Sequence, residues 1–203
     1  MLKNLMLIVV LLLNTTALAQ EAPAPVDDKV LGVEFGQTKK QVKAKVGQMD
    51  VSQQDGKFTV FKADKMPKGL VDAEVYFLTF YDNKLAKVTI LGKEISDDPY
   101  GTKGKGVFEK YKKVFLKKYK LTLGNEYVGR ALYKDPGEFW QCLQSTTCGW
   151  YVAIFEQGER SAVLQLNSLY KGGYYRIDIE TAAFKAGVEQ KKLDDVQDAE
   201  DAL

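Results

Sequence analysis

The chain has 203 residues, 29 Lys+Arg against 27 Asp+Glu for a formal charge of +2 at pH 7, 45% hydrophobic residues and no histidine. A chain of this length can bury a core without depending on disulfides, and a charge so close to zero argues against nucleic acid or an anionic membrane as the main partner. The absence of histidine removes Ser-His-Asp and Cys-His catalysis, imidazole acid–base chemistry and nearly all transition-metal catalysis.

The first nineteen residues, MLKNLMLIVVLLLNTTALA, have the order of a secretory signal peptide. Lys3 gives a positive start, Leu5 to Leu13 an apolar run, and Ala17-Leu18-Ala19 a small-x-small cleavage site. The run is well short of the roughly 20 residues that span a bilayer. Cutting after Ala19 predicts a periplasmic or secreted protein with no membrane insertion afterwards. Lys3 is the only ionisable side chain removed, so the net charge of the mature chain falls to +1. No cysteine follows the cleavage site, which leaves a lipid anchor unsupported.

Residues 20–29, with Pro23 and Pro25, read as a linker. Leu31, Val33 and Phe35 alternate as a short strand. Thr38 and Gln41 form a capping box for a helix over 39–46, with Val42 and Val46 on one face and Gly47 as its stop. A strand follows at 58–63. The runs 73–81 and 84–91 flank Asp82-Asn83, a two-residue hairpin turn. Residues 92–104 read as a loop. Over 107–120, Val107, Phe108, Tyr111, Val114, Phe115 and Tyr119 fall at helical spacing, and lysines occupy the rest. Strands are expected near 130–134, 138–143, 148–156, 160–167 and 174–181, then a polar acidic tail over 182–203.

Each half of the chain, 30–95 and 96–181, thus runs from an amphipathic helix into an antiparallel meander. YFLTFYDNKLAKVTI (76–90) resembles YVAIFEQGERSAVLQL (151–166) across a one-residue insertion. The expected fold is α+β: two similar helix-plus-antiparallel-meander halves, with the helices packed on one face of the sheet.

Residues 36–47, GQTKKQVKAKVG, resemble the G-x-T-x-x-Q-V-x-x-x-[LV]-G pattern of small bacterial envelope proteins of the BamE kind, carried here by Gly36, Thr38, Gln41, Val42, Val46 and Gly47. The same helix-then-meander unit, used twice, is similar to the β-lactamase inhibitory protein fold. The resemblance covers about a dozen residues, or some sixty if extended to Leu91. It implies binding to other proteins without catalysis. The chain departs from the assembly lipoproteins in lacking a cysteine at the mature N-terminus, which puts an assembly role in doubt.

Cys142 and Cys148 are the only cysteines. Zinc normally takes four ligands, and a redox site is normally C-x-x-C, whereas five residues intervene here. Export to an oxidising compartment therefore predicts a disulfide stapling a hairpin, with about 2 kcal/mol of stabilisation. Neither a metal nor a cofactor is expected.

Five other patterns have structural readings beside their functional ones. Ser168-Leu169-Tyr170-Lys171 spells S-x-x-K but precedes Gly172-Gly173 without the partner motifs of serine acyltransferases. GTKGKG (101–106) could offer N–H groups to an anion, or be a plain loop. Asp97-Asp98 and Asp135/Glu138 could be glycosidase carboxylates, or turn residues. The lysine face of 107–120 is either a solvated surface or a meeting point for an acidic partner. Trp140, Trp150, Tyr151, Tyr174 and Tyr175 surround the cysteine loop and the following turn, as core or as a candidate binding surface.

These readings favour an exported, soluble, non-catalytic protein-binding module of inhibitor or immunity type. Its partner would be another protein of the cell envelope or an exported enzyme. An envelope-assembly accessory protein and a carboxylate-based cell-wall glycan hydrolase are the alternatives.

Overall fold

A computed structural model describes residues 28–129, 133–145 and 147–202. The expected signal peptide, most of the linker and most of the strand expected at 130–134 lie outside the described residues.

The chain begins with a two-stranded ribbon, β1 (Lys29–Val30) and β2 (Val33–Glu34), where one short strand was expected. Helix α1 (Lys39–Val46) has its capping box formed: Gln41 N–H donates to Thr38 Oγ1 and Thr38 N–H to Gln41 Oε1. A meander follows, β3 (Asp50–Asp55), β4 (Phe58–Ala63), β5 (Ala73–Tyr81) and β6 (Lys84–Gly92). Asp82 and Asn83 both take positive φ, the conformation a two-residue hairpin needs. β3 was not expected, because every residue in DVSQQD is exposed and the segment carries no apolar period. Pairing with β4 makes it a strand.

The second half opens with α2 (Thr102–Phe115), which starts and ends about five residues before its expected limits. It starts early because the Asp98 carboxylate accepts from the Lys103 and Gly104 N–H groups and caps the first turn. It ends early because Lys120–Val128 forms β7, an edge strand of the sheet. Residues 138–143, expected as a strand, instead form α3 (Phe139–Gln144), burying Phe139, Trp140 and Cys142. The apolar positions 139, 140, 142 and 143 are crowded too closely for strand alternation. Then come β8 (Gly149–Gln157), β9 (Arg160–Leu169) and β10 (Gly172–Glu180). The expected acidic tail forms a 20-residue helix, α4 (Ala182–Asp201).

The two meanders join into one eight-stranded antiparallel sheet of order β3-β4-β5-β6-β10-β9-β8-β7. Reading from either edge meets the same sequence of positions within each half. The last strands of the halves, β6 and β10, therefore pair at the centre, with Ile90 opposite Ile177. Strand alternation then separates two faces. The inner face carries Leu78, Phe80, Val88, Ile90, Phe155, Leu164, Ile177 and Ile179, all buried. Val42 of α1 and Phe108, Tyr111 and Phe115 of α2 join them in one core.

Trp140 completes that core from α3. Its indole fills a slot between Gly104 and Gly173: a Cβ on either glycine would come within 2.6 Å of the ring. Its Nε1–H donates to the Asp98 carbonyl at 2.8 Å. The glycines of GTKGKG therefore include one required by packing. The disulfide joins Cys142 to Cys148 with Cα atoms 5.1 Å apart. It ties the end of α3 to the start of β8, where a stapled hairpin was expected.

Helix placement also departs from expectation. α1, α2 and α3 share the inner face, but α4 packs on the outer one. Phe184 meets Phe58 edge to face at 5.8 Å, and Gly187 lies against the Tyr81 ring.

Candidate functional site

The outer face is divided between the halves. Over the first half, α4 spans the sheet and leaves a groove of about 510 Å³. Phe58, Val60, Phe77 and Leu91 rise from the strands and Phe184 and Val188 descend from the helix. Over the second half, none of the described helices lies on this face.

At the boundary sits a charged cluster. Asp178, 6% exposed, accepts from Thr89 Oγ1 at 2.6 Å and from Arg176 Nε at 2.7 Å, with Lys87 Nζ 3.2 Å away. Lys87 also meets Glu180 at 3.4 Å, and Ser161 Oγ donates to Glu180. Burial alone would raise the Asp178 carboxyl, but the Arg176 hydrogen bonds, the Lys87 charge and the Thr89 hydroxyl outweigh it and hold it below the usual carboxylate range. The hydrogen bond to Asp178 likewise raises Arg176. This cluster is a neutralised girder between the halves, and Asp178 is poorly suited to donating a proton.

Registers place the aromatic residues. Tyr127 pairs with Trp150, and Tyr174 with Asn167. The register that sets Val152 opposite Gln165 puts Asn167 beside Trp150. Tyr127, Trp150 and Tyr174 therefore lie in one row across four strands, with Trp150 47% exposed. The neighbouring rows bring Leu123, Val152, Ile154 and Val163 to the same uncovered face. Trp150 thus reaches the surface, with Tyr174 half-buried on the same face.

The other three lie inward: Tyr151 and Tyr175 point to the opposite face from their strand neighbours Trp150 and Tyr174, and Trp140 turns into the core from α3. Tyr175 is buried on the inner face, and its hydroxyl donates to Asp72 Oδ1 at 3.0 Å. Burial drives its pKa far upward. Trp140 is 1% exposed. Tyr151 lies edge-on to Phe108 and Phe139 at 5.2 and 5.5 Å, and burial raises its hydroxyl too. Tyr175, Trp140 and Tyr151 are core residues.

Asp72 was missed by sequence reading. It gathers Tyr175, Tyr111 and Lys110, the last at 2.8 Å, and so pins the loop before β5 to α2. Burial would raise this carboxyl, but those hydrogen bonds lower it. Arg176 and Asp178 were also missed. Their one signal is a pair of opposite charges two apart in the otherwise apolar strand GGYYRIDIE.

The candidate chemical motifs resolve into structural roles. Asp98 caps α2, which occupies the very N–H groups an anion would use. Asp135 and Glu138 cap each other at the turn before α3. Ser168 Oγ donates to the Leu169 carbonyl, and Lys171 lies over the Tyr170 ring. Among the described residues there is no cluster of three or more metal-ligating side chains, and no helix is long and apolar enough to cross a membrane. No family model matches the chain, and no curated protein and no solved structure is similar to it.

Proposed function

We infer that this protein is an exported, non-catalytic binding module that engages another protein, of the cell envelope or an exported enzyme, through the uncovered outer face of β7–β10. The observation that carries this reading is the row Tyr127–Trp150–Tyr174, set beside Leu123, Val152 and Ile154 on paired strands. Exposed aromatics on a rigid platform lose little conformational entropy on binding and anchor interfaces. The disulfide is compatible with an oxidising, exported setting.

The duplicated helix-plus-meander plan favours an inhibitor or immunity-type role, by analogy with the inhibitory-protein fold the sequence resembles. The envelope-assembly alternative rests on residues 36–47, whose motif positions here cap α1 and bury Val42. The glycan hydrolase alternative needs a carboxyl group kept protonated near neutrality. Asp98, Asp135 and Glu138 are committed to caps, and Asp178 is shifted the wrong way.

A photo-crosslinking residue placed at position 150, and in a second protein at exposed Glu189 of α4, provides the test in envelope extract. The expected result is a discrete adduct from position 150 alone, suppressed by excess wild type and not by excess Trp150→Ala. Equal labelling from both positions, or none from 150, would overturn the assignment.

A further inference from the structure

Near-neutrality of the whole chain conceals local clusters of like charge, a lysine-rich one on the helix-bearing side of the sheet and an acidic one at the end of α4. On the inner side, α1 carries Lys39, Lys40, Lys43 and Lys45 and no carboxylate. α2 carries Lys103, Lys105, Lys110, Lys112 and Lys113 against the single Glu109, and Lys117 and Lys118 follow it. The loop between β4 and β5 adds exposed Lys65 and Lys68. On the outer side, the last turns of α4 present Asp194, Asp195, Asp198, Glu200 and Asp201 with no cation among them. Among the described residues, Lys40, Lys43, Lys113 and Lys117 have no carboxylate within ion-pair distance.

The basic side is also apolar in places that packing does not explain. Val71, 86% exposed, stands beside the Asp72–Lys110 pair that ties its loop to α2. Val114, 54% exposed, lies one helical turn from Lys110 and Lys117 on the outward stripe of α2, and Leu116 just beyond is exposed as well. Val114 borders an apolar cavity of about 240 Å³, whose walls include Leu31, Leu70, Phe115 and Ile177, and whose lining also includes exposed Lys29 and Lys118.

We propose that this helix-bearing face docks on an anionic phospholipid bilayer, with α2 along the surface and the cavity beside Val114 receiving an apolar chain. Every cation named on this face is lysine. Lysine is a point charge on a flexible stem, suited to a diffuse field of headgroups, whereas forked arginine suits one fixed carboxylate or phosphate. The apolar face of α2 is turned into the core, so contact with a bilayer falls to its lysine stripe with Val114 and Leu116, and the attraction is chiefly electrostatic. Each lysine brought to an anionic surface strengthens binding by about fivefold. The acidic end of α4 is then held away from the bilayer, and the aromatic row on the opposite side of the sheet faces outward toward a partner. Docking does not depend on the identity of that partner.

The test is co-sedimentation of the purified protein with vesicles of phosphatidylcholine alone and of phosphatidylcholine mixed with phosphatidylglycerol. Binding is expected only to the mixed vesicles, weakening as salt is raised. Lys113→Glu/Lys117→Glu should weaken it at least tenfold, and Val114→Ser should weaken it at high salt, both with unchanged thermal midpoints. Lys192→Glu on α4 should leave it unchanged. Equal binding to both vesicle types, or to neither, would overturn the proposal. So would a Lys113→Glu/Lys117→Glu protein that binds like wild type. Capture by dextran sulfate without vesicle binding would assign the face to a soluble polyanion and also overturn it.

Discussion

The two halves share one topology and differ in what covers them. The first half has a short inner helix that buries only Val42, and a long outer helix, α4, lying across its strands. The second half has a longer inner helix burying Phe108, Tyr111 and Phe115, reinforced by α3 and the disulfide, and an outer face left open. In the first half the chain itself covers the outer apolar residues, with Phe184 seated on Phe58. In the second, Trp150, Leu123, Val152 and Ile154 have no such cover from the described helices. Two halves of the same strand order thus differ in whether a described helix covers the outer face.

The sharpest break in that comparison is between the two tryptophans. Trp140→Ala removes a ring seated between two glycines whose backbones have no side chains to collapse inward, so unfolding should become easier by about 3–5 kcal/mol. Trp150→Ala should change stability by less than about 0.5 kcal/mol while abolishing partner crosslinking. Denaturant melts of the two variants decide it, and equal losses would dissolve the distinction between core and open face.

Asp178→Ala comes next, because it leaves Lys87 and Arg176 facing each other without their shared carboxylate. Arg176 is partly exposed and Lys87 keeps Glu180, so the cost should be about 2 kcal/mol, below that of a fully buried pair. The folded Asp178 carboxyl lies below its unfolded value, so its contribution is full above about pH 4 and is lost as pH falls through the folded value. Wild-type stability should therefore drop on acidification, and Asp178→Asn should flatten that slope without removing it, since Asp72 is lowered in the same direction. An unchanged acid limb in Asp178→Asn would show that the girder contributes little.

Reduction of Cys142–Cys148 should cost about 2 kcal/mol, the loop being short, and should loosen α3 and the start of β8 without affecting the first half. Amide exchange before and after reduction locates the change. Phe184→Ala should cost less, about 1–2 kcal/mol for a half-buried ring. It should raise exchange in α4 while the strands beneath stay protected. Loss of protection throughout the sheet would mean that α4 is integral to the core.

The elements legible in the sequence were those whose signals are local. α1 was bounded by Thr38, Gln41 and Gly47, and the β5–β6 hairpin by Asp82-Asn83. What escaped depended on distant partners. β3 has no apolar pattern and exists through β4. α2 begins early because Asp98 caps it, and Gly104 in its first turn makes room for Trp140, thirty-six positions on. The Asp178 cluster draws on Thr89, eighty-nine residues away. For the candidate site, alternation made it certain that Tyr174 and Tyr175 point apart, yet which face α4 would cover is a tertiary fact. Charge followed the same rule: a sum near zero gave no sign that the lysines of α1 and α2 would share one side of the sheet while the acidic end of α4 lies on the other.

The most direct test of the open face uses fluorine NMR on protein made with 5-fluorotryptophan, which gives one resonance for each tryptophan, assigned with Trp150→Phe. Trp150 is expected to be solvent-responsive in the free protein and to shift or broaden on addition of envelope extract, while Trp140 stays fixed. If the extract moves neither resonance, or if the Trp140 signal is the one that responds, the outer face of the second half is not the binding surface.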